Sequence, residues 1–240
     1  MVHLYIATPC YNTLMTCQYT ISLLNMLCTL SKHGITYVID FLGNESLIPR
    51  ARNRSLEKFL KTDCTHLFFI DSDISFPPDA ILKMLDFDKD VTGCAYPKKN
   101  ITPERLLTSL QLETESKEKL DSRLLDFVFN RRGGVDMKEE GEFVKVDHTG
   151  TGFMLIQRGI IEKLCKKHTE LIITNGELPG EQYALFSCMI KNRIYLSEDY
   201  SFCQRVNDIG GEVWLNIKTN LNHIGTYCFA SDIKNRAGVL

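Results

Sequence analysis

What this 240-residue chain lacks narrows its class before anything it contains. It has 7 prolines, a single tryptophan and no tract of repeated residues, so neither a proline-rich linker nor a low-complexity segment is present. It lacks a strong charge of either sign. The 28 Lys and Arg against 30 Asp and Glu leave a formal net charge of −2, which gives the chain as a whole no hold on nucleic acid or an anionic membrane. Any polyanion must be held locally. The 9 cysteines include no C-x-x-C pair, and their odd number and irregular spacing argue against a disulfide framework or a zinc knuckle. They read as reduced, mostly buried thiols. No apolar run is long enough to span a bilayer; the stretch 21–30 is broken by Ser22, Asn25 and Thr29. The first strand-like run begins at Val2, with no room before it for a signal peptide, so the expected location is the cytoplasm, a host cytoplasm if the source is viral.

What is present is an ordinary globular composition, 44% hydrophobic and 24% charged, enough for the core of one domain. The first third alternates strand and helix. Val2–Thr8, Ile35–Phe41, His66–Ile70 and Asp90–Ala95 read as strands. Between them, helices are expected over Thr13–Lys32, Pro49–Lys61 and from Pro77-Pro78 through Leu85. In the first helix Cys17, Ile21, Leu24 and Cys28 fall on one face, the expected buried stripe, and Gly34 ends it. Residues 104–145 carry 18 of the chain's 58 charged side chains, which predicts a solvent-facing excursion with short amphipathic helices near Leu106–Leu110 and Leu120–Phe127. Regular structure resumes with strands at Phe143–Val146 and Gly152–Ile156, helices at Gly159–His168 and Ser197–Asp208, and Val213–Ile217 closing the sheet. The alternation predicts an α/β fold, a mostly parallel central sheet with helices on both faces.

The strongest chemical signal is Leu67-Phe68-Phe69-Ile70-Asp71-Ser72-Asp73, a buried strand running directly into two carboxylates one residue apart. Ligands bind at the carboxyl ends of strands in open α/β sheets. Two acids this close repel unless a cation lies between them, and a divalent ion there would bridge to a diphosphate. The competing reading is two acids that merely end a strand.

Three stretches in this order resemble the GT-A glycosyltransferases: Ala7-Thr8-Pro9-Cys10-Tyr11-Asn12, Ala51-Arg52-Asn53-Arg54 and Asp71-Ser72-Asp73. The similarity is nearest to small single-domain viral and bacterial transferases and, for Arg52-Asn53 and the D-x-D, to fungal mannosyltransferases. It covers residues 2–99 well and 146–225 more loosely. The resemblance implies a single GT-A domain with a smaller antiparallel element on the acceptor side. Residues 1–99 would bind a nucleotide-sugar, UDP by default, and residues 100–240 a glycan or glycoprotein acceptor. Thr8, Pro9 and Tyr11 would line the base, and Asp40, ending the second strand, would meet the base or ribose. Arg52 would face the phosphates, with Ser72 beside them, while Arg50 and Arg54 would face water. Tyr96 or Lys98 would reach the donor sugar or phosphate, and Gly152 would let the sugar approach the backbone. Asp71, Asp73 and a late histidine, His223, would hold Mn²⁺ or Mg²⁺, with His148 as the competing histidine. Asp199 would be the general base of an inverting transfer and Glu198 would orient the acceptor. Against this, Ser197 reads as an N-cap, and acids in a first helical turn are favoured by the helix dipole whatever the function. A retaining route would leave Asp199 without that role. Two other readings stand beside the transferase: a haloacid-dehalogenase-type phosphatase, which also carries D-x-D after an apolar strand, and an inactive nucleotide-sugar-binding module.

Overall fold

The computed structural model describes residues 1–101, 124–130, 138–174 and 180–230. Eight strands form the central sheet: β1 His3–Cys10, β2 Thr36–Gly43, β3 His66–Ile70, β4 Val91–Cys94, β5 Glu139–Glu140, β6 Phe143–Val146, β7 Phe153–Gln157 and β8 Val213–Asn216. Their order is β2-β1-β3-β7-β4-β8-β6-β5. Six point the same way; β6 and β7 run against them. The α/β expectation of a mostly parallel sheet is met. Strand β7, from the second half of the chain, lies between β3 and β4 of the first half. Val213–Asn216 does not close the sheet. It lies inside, parallel to β4, with Trp214 fully buried, and β6 and β5 extend the sheet beyond it.

Both faces are covered by helices: α1 Cys17–Lys32, α2 Ile48–Leu60, α3 Ala80–Phe87, α4 Arg158–Lys167 and α5 Glu198–Asp208. Successive strand residues point to opposite sides, so each strand feeds both layers. Leu67 and Phe69 of β3 join α2, α4 and α5 in one apolar core. Phe68 and Ile70 join α1 and α3 in the other. A strand buried on both faces must be apolar throughout, which is why β3 carries no polar position between His66 and Asp71.

Helix α1 starts later than expected, at Cys17, because Tyr11–Thr13 form a tight 3-10 turn in which Asn12 takes a left-handed conformation (φ 52°). Thr16 caps α1 by accepting the Tyr19 N–H. Its buried face is also the opposite of the expected one. Tyr19, Leu23, Met26 and Leu30 are buried, whereas Ile21 and Leu24 are 60% and 57% exposed. The two stripes have the same spacing and differ by two positions, about 200° around the helix. Periodicity therefore finds both and chooses neither. The Tyr19 stripe goes inward, and the Tyr19 hydroxyl is bonded to Thr8 Oγ1 at 2.6 Å. Leu23→Ala is accordingly expected to cost about 2–5 kcal/mol in urea denaturation. Leu24→Ala should stay within about 0.5 kcal/mol of the parent. Equal effects would contradict this orientation.

Of the expected excursion helices, 106–110 lies outside the described residues, as do residues 120–123 of 120–127. Leu125–Phe127 form a strand paired with Pro97–Ile101. Among the described residues no helix is long and apolar enough to cross a membrane. All nine cysteines are free thiols, five of them buried.

Candidate active site

The cleft that holds the D-x-D lies at the carboxyl ends of β1 and β3. It is lined by Pro9, Tyr11, Glu45, Ser46, Ile48, Ala51, Asp71, Ser72, Asp73 and His223 and has a volume of about 190 Å³. Larger grooves of about 440 and 350 Å³ run along the Asn53–Glu57 side of α2, but neither contains a motif acid. The motif turn is pinned from three directions. Asp71 N–H donates to Gly152 O at 2.9 Å, Thr16 N–H to Ser72 O at 2.9 Å, and Ile224 N–H to Asp73 O at 2.7 Å. The last bond belongs to a small antiparallel sheet in which Asn222–Ile224 lies between Ile74–Ser75 and Cys228–Ala230. That sheet carries His223 beside the motif from 150 positions further along the chain.

The two aspartates were expected to repel one another unless a cation separated them. The fold meets that repulsion internally, with a separate basic partner for each. Arg52 Nη2 donates to Asp71 Oδ1 at 2.5 Å. The Arg52 guanidinium lies 4.9 Å from the centre of the Phe69 ring. Arg52 is only 1% exposed, and its Nε and Nη1 find no hydrogen-bond partner among the described residues. It therefore lies behind Asp71 as a buried counter-ion, where the expectation had it facing phosphates. The two flanking arginines of α2 pair elsewhere. Arg50 and Arg54 do not simply face water: Arg50 donates to both oxygens of the buried Glu45 at 2.6 and 2.7 Å, and Arg54 lies 2.9 Å from the same carboxylate. The bonds from Arg50 bring the Glu45 carboxyl down to about 2, fastening the start of α2 to the cleft wall.

Asp73 is served differently. Lys99 Nζ donates to Asp73 Oδ2 at 2.5 Å, and His223 Nε2 lies 3.3 Å from Asp73 Oδ1. Burial alone would raise the Asp73 carboxyl; the bonds from His223 and Lys99 outweigh it and hold it below the usual range. His223 Nδ1 is 2.9 Å from Pro97 O, and since a carbonyl only accepts, Nδ1 is the donor. The bond to Asp73 then requires a proton on Nε2 as well, and a metal ion held there would take the place of that proton. A carbonyl that takes the Nδ1 proton's bond in this way holds the ring with Nε2 turned to where a metal ion would sit. Lys99 was not singled out from the sequence. Its only sequence signal was its place beside Lys98, and both lie on the exposed part of the Pro97–Ile101 strand.

The second acidic pair opens α5. Ser197 is the N-cap residue, but its hydroxyl donates to Asp199 Oδ1 and so does not cap the helix in the usual sense. The Tyr200 N–H also donates to Asp199 Oδ1, at 2.8 Å. Burial raises both carboxyls of this turn above their ordinary values; the Arg52 charge opposes the rise and the Asp71 charge adds to it. These interactions bring the 198–199 turn and the D-x-D into one electrostatic cluster, 127 positions apart in sequence from Ser72 to Asp199.

Other expected residues serve as supports. Thr8 is fully buried on Tyr19, while Pro9 and Tyr11 line the cleft. Asp40 lies within β2 and not at its end, and is bonded to Lys58 Nζ at 2.7 Å and Ser55 Oγ at 3.1 Å, tying β2 to α2. Tyr96 is buried, and its hydroxyl accepts the Gly152 N–H at 3.0 Å. A Cβ on Gly152 would come within 2.7 Å of the Tyr96 ring and 3.0 Å of Asp71 Oδ2, so this glycine makes room for Tyr96 and Asp71. His148 is buried against α5, stacked on Tyr200 and facing Gln204, and is not beside Asp73.

As a metal site, Asp73 and His223 fit: a hard oxygen and an imidazole nitrogen converge, and an ammonium already stands on the other oxygen of Asp73. Asp71, turned to Arg52, does not complete a tight triad. Among the described residues, the ligand atoms that gather within 4.8 Å of one another are those of His3, Asp63 and Cys64, at the other end of β1. The Cys64 side chain belongs to the apolar core.

Neither models of known protein families nor the sequences of curated proteins match the chain. Solved structures resemble it weakly. The protein A197 from STIV aligns over 98% of this chain and 92% of its own, at 17% identity and a TM-score of 0.49. A Drosophila beta1,4-galactosyltransferase 7 variant in complex with manganese, UDP-Gal and xylobiose aligns over 97% of this chain and 71% of its own, at 13% identity and a TM-score of 0.39. TarS from S. aureus aligns over 90% of this chain and 58% of its own, at 11% identity and a TM-score of 0.43. Likenesses of this size transfer no role to any residue, and the chemistry is left to the side chains that line the cleft.

Proposed function

We propose that this chain is a metal-dependent glycosyltransferase that moves a hexosyl or deoxyhexosyl group from a nucleoside-diphosphate sugar, UDP-linked by default, to a hydroxyl of a glycan or glycoprotein acceptor, with inversion. The observation that carries the reading is the convergence of Asp73 and His223 in the D-x-D cleft, with Asp71 beside them and the charges of the Glu198–Asp199 turn acting on the Arg52–Asp71 pair. A bound divalent cation, Mn²⁺ in preference to Mg²⁺ because of the imidazole, would supply charge neutralisation for the departing diphosphate. Asp73 and His223 would hold it, with Asp71 positioned behind them by Arg52. No nucleic acid partner is invoked.

The chain's own residues divide the remaining work. Pro9 and Tyr11 form the cleft wall for the base. At about 190 Å³ the cleft is smaller than the ~300–1,000 Å³ of a whole small-molecule site, so it seats part of the donor. Asp199 takes the proton as the acceptor oxygen forms its bond to the anomeric carbon and the bond to the diphosphate breaks. Its Oδ1 is already satisfied by Ser197 and Tyr200, leaving Oδ2 for that proton. Glu198 orients the acceptor. Residues 1–99 contribute most of the donor contacts and residues 100–240 most of the acceptor contacts within one transferase domain. A phosphatase would need a free aspartate nucleophile, and the ion pair between Asp71 and Arg52 disfavours that reading.

The direct test is incubation with Mn²⁺ and a panel of nucleotide-sugars, measuring diphosphate release. Phosphate release from phosphomonoesters would replace this reading by a phosphatase, and donor binding without turnover would replace it by a binding module. The pH profile adds a second check. The base must be deprotonated, so kcat/KM should fall as pH drops through the Asp199 value, and burial places that limb above the ordinary carboxylate range. Asp199→Asn should lower kcat by about 10²–10⁴-fold and remove the limb. A limb that survives the substitution would assign the base elsewhere.

A further inference from the structure

We propose that Lys99 is a built-in stand-in cation, its ammonium holding Asp73 in the metal-free protein and transferring to the diphosphate when a divalent ion takes Asp73 and His223. The inference rests on the reading above for the identity of the anion, but its first half concerns the empty cleft alone.

Two counter-ions serve the D-x-D, and they differ in the property that decides which can leave. The Arg52 side chain is 2% exposed, wedged behind Asp71 and against Phe69. Moving it would strip a buried guanidinium of the one carboxylate it bonds among the described residues, so it is a permanent part of the fold. The Lys99 side chain is 34% exposed, and its partner Asp73 is 31% exposed. An ion pair at that exposure contributes little, and a lysine has a flexible stem with three rotatable donors that serve any nearby anion. Lys99 lies on the Pro97–Ile101 strand, whose Pro97 carbonyl orients His223, so one short segment carries the ammonium and steadies the imidazole that faces Asp73. On the far side, a Cβ at Gly225 would stand 3.3 Å from Lys99 Cδ, so this glycine leaves the stem its space.

The electrostatics then force an exchange. A divalent ion and an ammonium cannot share one carboxylate without strong repulsion, so a cation arriving at Asp73 and His223 expels Lys99. The expelled ammonium remains tethered within a side chain's length of the site, where the diphosphate brings the nearest compensating negative charge. Metal and diphosphate therefore favour one another's binding through Lys99, and the coupling is reciprocal. No covalent step is involved; the ammonium changes partner from carboxylate to phosphate oxygens.

The experiment compares the whole protein with Lys99→Met and Lys99→Arg, after thermal melting has shown all three to be folded. Mn²⁺ binding without nucleotide is read by electron paramagnetic resonance, and inorganic pyrophosphate binding at saturating Mn²⁺ by calorimetry. Lys99→Met is expected to tighten Mn²⁺ up to about fivefold, because the competitor is gone. The same variant should weaken pyrophosphate about tenfold or more, because a charged donor is lost. Lys99→Arg should stay near the parent in both. Unchanged or weaker Mn²⁺ binding in Lys99→Met overturns the stand-in role, and tighter Mn²⁺ with unchanged pyrophosphate overturns the transfer. A parent protein that binds Mn²⁺ and turns over donors while Lys99→Met shows neither change leaves the transferase reading intact. A parent that binds no Mn²⁺ ends both.

Discussion

Asp73→Asn is expected to reduce diphosphate release by about 10²–10³-fold or more while leaving the fold nearly as stable as before. The reason lies in the exposure of its partners. Asp73, Lys99 and His223 are each partly open to solvent, and ion pairs of that kind contribute about 0–1 kcal/mol. In a chain of 240 residues this corresponds to a shift in Tm of only about 2–4 °C. The chemistry, in contrast, loses the one carboxylate that His223 and Lys99 both face, so Mn²⁺ affinity and turnover should fall together. Parallel measurement of melting, Mn²⁺ binding and diphosphate release checks all three. A variant that keeps its turnover would remove Asp73 from the mechanism. A variant that unfolds would show that its role is structural.

Asp71→Asn should behave in the opposite way, with a large effect on stability. The substitution leaves the Arg52 guanidinium buried, with Nε and Nη1 unpartnered and only a neutral amide oxygen in place of the carboxylate. Breaking a buried ion pair from one side costs about 3–5 kcal/mol. The lower end, about 3 kcal/mol, is expected here because the charge of Glu198 still acts on Arg52. Adding Arg52→Met should recover much of that loss, because the stranded charge is then gone, and the two substitutions should be clearly non-additive in urea denaturation. Additive losses would mean that Arg52 and Asp71 act independently. The consequence for enzymology is practical: lost activity in an Asp71 variant is confounded by instability, so Asp73 is the cleaner probe of the D-x-D.

Much of the site could be read along the chain because it was local. The apolar run into Asp71-Ser72-Asp73 marked both the buried strand and the place where a ligand would sit, and the α5 turn marked Glu198 and Asp199. The roles of individual side chains were harder to read. Arg52 was expected at the phosphates and lies buried behind Asp71; Asp40 was expected at the base and ties β2 to α2. Lys98 was expected to reach the donor, but its neighbour Lys99 makes the contact with Asp73. In each case residue type gave the charge, while its direction depended on which face of a helix or strand was buried.

Helix α1 shows that dependence most simply. Two apolar stripes of identical spacing are written in it, and only packing on β1 and the Thr8–Tyr19 bond decides which goes inward. The sequence by itself determined the strand–helix alternation, the doubly buried strand β3 and the positions of the two acidic pairs, because these follow from local hydrophobic pattern and chain order. The tertiary structure alone decided that β7 enters between β3 and β4, that His223 and Lys99 meet at Asp73, and that each motif aspartate has its own basic partner. Those outcomes join segments far apart in the chain, and long-range pairing is set by the burial of whole faces and the neutralisation of charge, neither of which is written in any one stretch of residues.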